Sequence, residues 1–155
     1  MRTLASRIAM NHVVPLATLT ATPARAASNI IDRSGFESVS FHTFTGIGGI
    51  TFDTNNYLGL LIEESDDNVT WAPIASSNAV NAGPGVTNAV NASGLVGLIQ
   101  AAKAAADTFP LSRKWDYVGS KRYVSARPAF VGTHATGTPV MVTAVLGDAL
   151  NMPVT

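Results

Sequence analysis

A nucleophilic centre needs a serine, threonine or cysteine beside a base and an orienting acid, and the chain's three histidines are His12, His42 and His134. His12 stands in an N-terminal stretch, His42 inside an alternating segment, and His134 among Gly132, Thr133 and Thr136. None sits in a nucleophile motif, so each reads as a surface or hydrogen-bonded histidine. There is no H-x-x-x-H spacing and no cysteine, so no metal centre, cofactor or catalytic residue is expected. The cluster Glu63, Glu64, Asp66 and Asp67 has the oxygens that a hard cation wants, but not the spacing of a calcium loop. It reads as a solvated hairpin tip, with cation binding left open. Glu63 and Glu64 point to opposite faces if their segment is a strand, so adjacency does not make them a glycosidase pair. Gly46, Gly48 and Gly49 lack the helix and lysine of a phosphate loop and read as a turn. The sequons at Asn68 and Asn91 matter only in a glycosylating route.

The elements that would carry these residues are strands. Phe36 to Phe44 sets Val39, Phe41 and Thr43 on one side and Ser38, Ser40 and His42 on the other, a period-two signal. Tyr57 to Glu64 aligns Leu58, Leu60 and Ile62; after the turn Ser65 to Asn68 the chain resumes at Val69 to Ala75 around Trp71, as in a hairpin. Gly119-Ser120, between Lys114–Val118 and Lys121–Val131, has the chemistry of a type II′ turn. That turn predicts Trp115 opposite Val124, with Trp115, Tyr117, Val124, Ala126 and Phe130 sharing the core face and Asp116, Lys121, Tyr123, Ser125 and Arg127 the outer one. Pro139 to Leu146 reads as a last strand covered on both faces. Asn78–Thr87 and Asn88–Gly97 form a near-tandem decapeptide duplication within a long loop or insertion, about 76–112. Leu95 to Ala106 suits either helix or strand. The expected fold is all-β: an antiparallel β-sandwich, jelly-roll-like, with an extended N-terminal arm and at most one short helix. Its expected core includes Phe41, Leu60, Ile62, Trp71, Trp115, Val124, Phe130, Val142 and Leu146.

Of the 155 residues, 46% are hydrophobic and 13% charged, with lysine plus arginine equal to aspartate plus glutamate. The charged share is about half of the roughly 25% usual in soluble domains, so part of the surface is expected to meet protein in place of water. Zero net charge gives no footprint for nucleic acid or an anionic membrane. Arg2 and Arg7 before the apolar stretch Ile8–Leu19, then Ala24-Arg25-Ala26, imitate a secretory leader, but Asn11, His12 and Pro15 interrupt its core. Residues 1–28 are read as an extended arm that gains order by docking, and 29–155 as one sandwich domain. Deleting the arm is expected to leave that sandwich folded.

Glu64 to Ala75 (ESDDNVTWAPIA) and Tyr117 to Ala126 (YVGSKRYVSA), followed by a closing strand and a proline-containing tail, resemble small capsid-associated proteins of tailed bacteriophages and prophages, the head decoration or cement proteins. The two motifs span about a quarter of the chain. The resemblance implies a jelly-roll sandwich on the outside of an icosahedral head, made in the bacterial host cytoplasm. It would bridge neighbouring major capsid subunits, associate with other copies of itself as dimer or trimer, and carry no catalytic residue. It also favours a strand at Leu95–Gln100. Expected partner contacts are Arg2, Arg7, Val13, Pro15, Leu16, Leu19, Pro23 and Arg25 of the arm, with Lys121, Tyr123 and Arg127 on the outer face of the second hairpin. The other readings are a tail or head-to-tail joining component, and a carbohydrate-binding sandwich module or small hydrolase stacking sugars on Trp71, Trp115 and Tyr123.

Overall fold

Alternating burial along the strands sets two antiparallel sheets face to face across one core. The computed structural model describes residues 7–47, 52–53, 55–81, 95–100 and 111–150. Through them run β1 (Ala9–Leu19), β2 (Ile30–Asp32), β3 (Phe36–Thr45), β4 (Tyr57–Ser65), β5 (Ala72–Pro73), β6 (Ala79–Asn81), β7 (Leu95–Gln100), β8 (Leu111–Tyr117), β9 (Tyr123–Val131) and β10 (Thr138–Ala149). The first sheet has the order β1-β10-β3-β8-β6 and the second β2-β9-β4-β5, with β7 also paired to β4. The protein is a β-sandwich, and among the described residues its short helical turns are the 3-10 segments Ala27–Asn29 and Ser76–Asn78.

The core is built from every second residue. Val39 and Phe41 of β3, Leu58, Leu60 and Ile62 of β4, Trp115 of β8, Val124 of β9, and Val142 and Leu146 of β10 are all buried. Each large side chain contributes about 1.5–3 kcal/mol by leaving water. Phe130 lies at the rim, partly buried against this cluster, with the buried His134 ring edge-on to it at 4.8 Å. Trp71 is not a core residue: β5 pairs with β4 only at Glu63–Pro73 and Glu64–Ala72, which leaves Trp71 in the turn, half-buried.

Successive strands lie in opposite sheets, the β4–β5 hairpin excepted, and this overturns the second predicted hairpin. β8 pairs with β3 and β6, β9 with β4 and β2, so Trp115 and Val124 enter one core from opposite sheets instead of pairing along a ladder. Gly119 does not take the positive φ that a type II′ turn requires of it. It permits a close approach: a Cβ there would lie 2.5 Å from Cζ of Tyr117. The turn from β2 to β3 does use a positive φ, at Gly35 (89°), closed by the Phe36 N–H donating to the Arg33 carbonyl at 2.8 Å.

The expected arm is part of the sandwich from Ala9 onward. β1 pairs antiparallel with β10 from Ala9–Leu146 to Leu19–Thr138, and Val13 and Val14 enter the core. The expected insertion likewise supplies β6 to one sheet and β7 to the other, so Leu95–Gln100 is a strand. Most of the decapeptide duplication, the glycines at 48 and 49, the second sequon, Arg2 and residues 101–106 lie outside the described residues.

Candidate interaction surface

The two outer faces of the sandwich differ in what covers them. On the second sheet, the link from β1 to β2 is fastened down. Thr22 Oγ1 accepts the Phe130 backbone N–H at 2.9 Å, and the Pro23 carbonyl accepts from Arg127 at 3.0 Å. Arg25 donates to Glu63 at 2.6 Å and lies 4.5 Å over the Trp71 ring. Arg127 donates to the same carboxylate, so one acid clamps two guanidiniums from residues far apart in sequence. Burial works to raise the Glu63 carboxyl, but Arg25 and Arg127 outweigh it and hold it below its ordinary range. Deeper in the same link, the Asn29 side chain donates to the Val13 carbonyl at 2.7 Å and accepts the Ala26 N–H at 3.0 Å.

The rest of the acidic cluster is also committed within the chain. Glu64 accepts from the Tyr117 hydroxyl at 2.6 Å. Asp66 pairs with Lys121. Asp67 receives the backbone N–H groups of Thr70 and Val69 and the Ser65 hydroxyl, which hold its carboxyl down at about 2. The turn is therefore built by its own carboxylates. The histidines do not converge with them: His134 is buried with Nε2 3.0 Å from the Val131 carbonyl, while His12 and His42 belong to the first sheet. Among the described residues no three histidine, aspartate or glutamate side chains group as a metal site.

Among the described residues no such strap crosses the outer face of the first sheet, and its register arranges the outward side chains in rows. Inward residues of β10 are Val140, Val142, Ala144 and Leu146, all buried, so Met141, Thr143 and Val145 point outward. The pairing then aligns Met10, Val145, Ser40, Asp116 and Val80 in one row and His12, Thr143, His42 and Lys114 in the next. Met141, Phe44 and Ser112 make a third, and opposite Met141 a bulge in β1 places Pro15 and Leu16. Two partly apolar rows thus flank a polar one. Met10 is 64% exposed, Leu16 69%, Phe44 38% and Val80 40%, a concentration of exposed apolar side chains that marks contact surfaces. The adjoining edge strand β1 has two register irregularities and Pro15, devices that hinder strand addition.

Several residues expected at a contact are engaged elsewhere. Val13 is fully buried because it alternates with the outward His12, and the register shift after His12 turns Val14 inward as well. Arg25 and Arg127 hold Glu63, Lys121 holds Asp66, and Tyr123 lies under the Arg122 guanidinium at 4.9 Å. Leu19 packs at the edge of the core and Pro23 is partly buried under Arg127. Arg7, Pro15 and Leu16 are exposed, and Arg7 lines a cleft of about 400 Å³ with Glu37 and Asp148. Sequence reasoning missed Met10, Phe44, Met141 and Val145 as surface residues. The alternation of β3 and β10 contained the signal: both faces of β10 are apolar, and one sandwich can bury only one of them.

No protein-family model, no curated protein and no solved structure matches the chain. No helix among the described residues is long and apolar enough to cross a membrane.

Proposed function

We propose that the protein is a structural component of a bacteriophage virion that binds the outer capsid surface and reinforces contacts between major capsid subunits, acting by protein association and not by catalysis. The observation that carries this reading is the outer face of the first sheet, over which no described segment lies, with exposed Met10 and Phe44 and half-buried Met141 and Val145 flanking a polar row. Such a face, about four strands wide and three rows deep, spans on the order of 20 Å each way at ordinary strand spacing. That is small beside the roughly 800 Å² per partner of a stable isolated complex. Single contacts of this size are weak, and they become useful when a lattice repeats them and links them through further copies of the chain. Low charge favours the same use, because few ions need be stripped of water at a seam.

The strand order supports the jelly-roll form of the sandwich: with short β5 and β6 set aside, first and last strands are neighbours in one sheet, and β2, β9, β4 and β7 make the other. The aromatic residues tell against the stacking of sugars. Trp115 is buried in the core, and Trp71 and Tyr123 each carry a guanidinium on the ring. The test uses empty heads of the phage or prophage that encodes the chain, assembled without it. Purified protein should co-sediment with them and raise their melting temperature, and Phe44→Asp or Met10→Asp should abolish both effects while leaving the circular dichroism unchanged. Binding at the tail or portal vertex alone, seen in a particle map, would favour a joining component instead.

A further inference from the structure

The polar row between the apolar ones has a composition of its own. His12 on β1 and His42 on β3 stand on either side of Thr143, and Lys114 on β8 is the register partner of His42. Adjacent strands are about 4.8 Å apart, so three groups that are or can become cations share one line across the sheet. Thr143 between them is 5% exposed, and His42 is half-buried, with Nε2 3.2 Å from the Ser40 hydroxyl. The charged groups that face His42 are Lys114 and, diagonally, Asp116, both from β8; β10 presents Thr143, and β7 contains no titratable residue. Asp32 of β2, Arg122 just before β9 and Arg127 of β9 belong to the second sheet and its turns, engaged in ion pairs with one another or with Glu63. Asp116 is therefore the one carboxylate in these rows of the face, set against as many as three positive charges.

We propose that this histidine row makes attachment through the first sheet sensitive to pH, with mild acid loosening it. The inference rests on the reading that this face is the attachment surface. Covering it removes water from both imidazoles, and a buried imidazolium beside Lys114 has neither solvent nor sufficient counter-charge to stabilise it. In the free chain, burial first and Lys114 second already lower His42 below the ordinary imidazole range, with Asp116 acting the other way. A partner laid over the face extends the same effect. A histidine that must shed its proton on binding weakens affinity by up to tenfold per pH unit below its free-state pKa, so the fall deepens toward the acid end of the range. Histidine is the side chain whose charge changes in the range where this would be felt.

The experiment measures co-sedimentation isotherms of the full chain with the same empty heads from pH 8 to pH 5.5, for wild type, His42→Gln and the His12→Gln/His42→Gln double variant. Wild-type affinity should fall several-fold across the range, His42→Gln should keep part of that fall, and the double variant should bind alike throughout. Lys114→Gln leaves both imidazoles in place, lets His42 take up its proton at higher pH, and should move the onset of the fall to higher pH, which keeps the test alive if a histidine variant does not fold. A wild-type profile without slope, while Phe44→Asp still abolishes binding, overturns the histidine row and spares the surface. A slope that survives in the double variant does the same. Unchanged binding by both Phe44→Asp and Met10→Asp overturns the surface itself and the inference with it.

Discussion

Removing one hydroxyl from the joint between the sheets tests the architecture most directly. Tyr117 ends β8 in the first sheet, 1% exposed. Its hydroxyl donates to Glu64 of the second sheet at 2.6 Å and accepts the Lys121 backbone N–H at 3.1 Å. Burial first, then Glu64, push the phenol above its usual range, so it remains a donor at any working pH. Tyr117→Phe keeps the ring and its packing, along with the Arg33 guanidinium 5.0 Å above it, and deletes only the bridge. A hydrogen bond to a charged group is worth about 1.5–3 kcal/mol. The Lys121 N–H lies near partly exposed chain and can turn to water, so it adds little. A loss of about 2–3 kcal/mol is expected, or roughly 5–10 °C in melting temperature for a domain of this size. Urea unfolding followed by tryptophan emission measures it, with the m-value unchanged. In a Glu64→Ala background the same substitution should cost at least about 1 kcal/mol less, since the shared bond is already gone. A loss below about 0.5 kcal/mol, or full additivity with Glu64→Ala, would refute the claim that this bond ties the sheets where the chain crosses between them.

Further outcomes follow from the same contacts. Glu63→Gln should cost about 1–3 kcal/mol by leaving Arg25 and Arg127 without their shared carboxylate, measured by urea titration at pH 7. Because the folded-state Glu63 carboxyl lies below its ordinary value, its contribution is present above about pH 4.5 and is lost as pH falls through the folded value. Glu63→Gln should accordingly lessen the acid slope of stability between about pH 5 and 3, while Asp32 and Asp67, also lowered, keep part of it. Deleting residues 1–19 removes β1 with Val13 and Val14 and uncovers β10; loss of the cooperative thermal transition is expected, where a docking arm would leave it intact. Iodide should quench one part of the tryptophan emission only, since Trp115 is fully buried and Trp71 half-exposed, and Arg25→Ala should enlarge that part.

Period-two alternation is a local property, and it determined which side of each strand turns inward. Phe41, Leu60, Ile62, Trp115, Val124, Val142 and Leu146 are core residues for that reason, and the all-β class follows from them. Alternation does not determine the partner. Trp115, Tyr117, Val124 and Ala126 satisfy it equally as neighbours in one ladder or as opponents across a core, and only the sandwich, which sends the chain to the other sheet after Tyr117, decides between these. In β1 the signal is hidden, because two register irregularities break the period and the register of β10 supplies what β1 lacks. Charge shows the same division. Arg25 and Arg127 read as free cations in a one-dimensional chain, and tertiary structure brings Glu63, 38 and 64 residues away, between them. The types of residue and their spacing follow from the sequence; which apolar face is buried and which is left for a partner is settled only when two sheets compete for one interior.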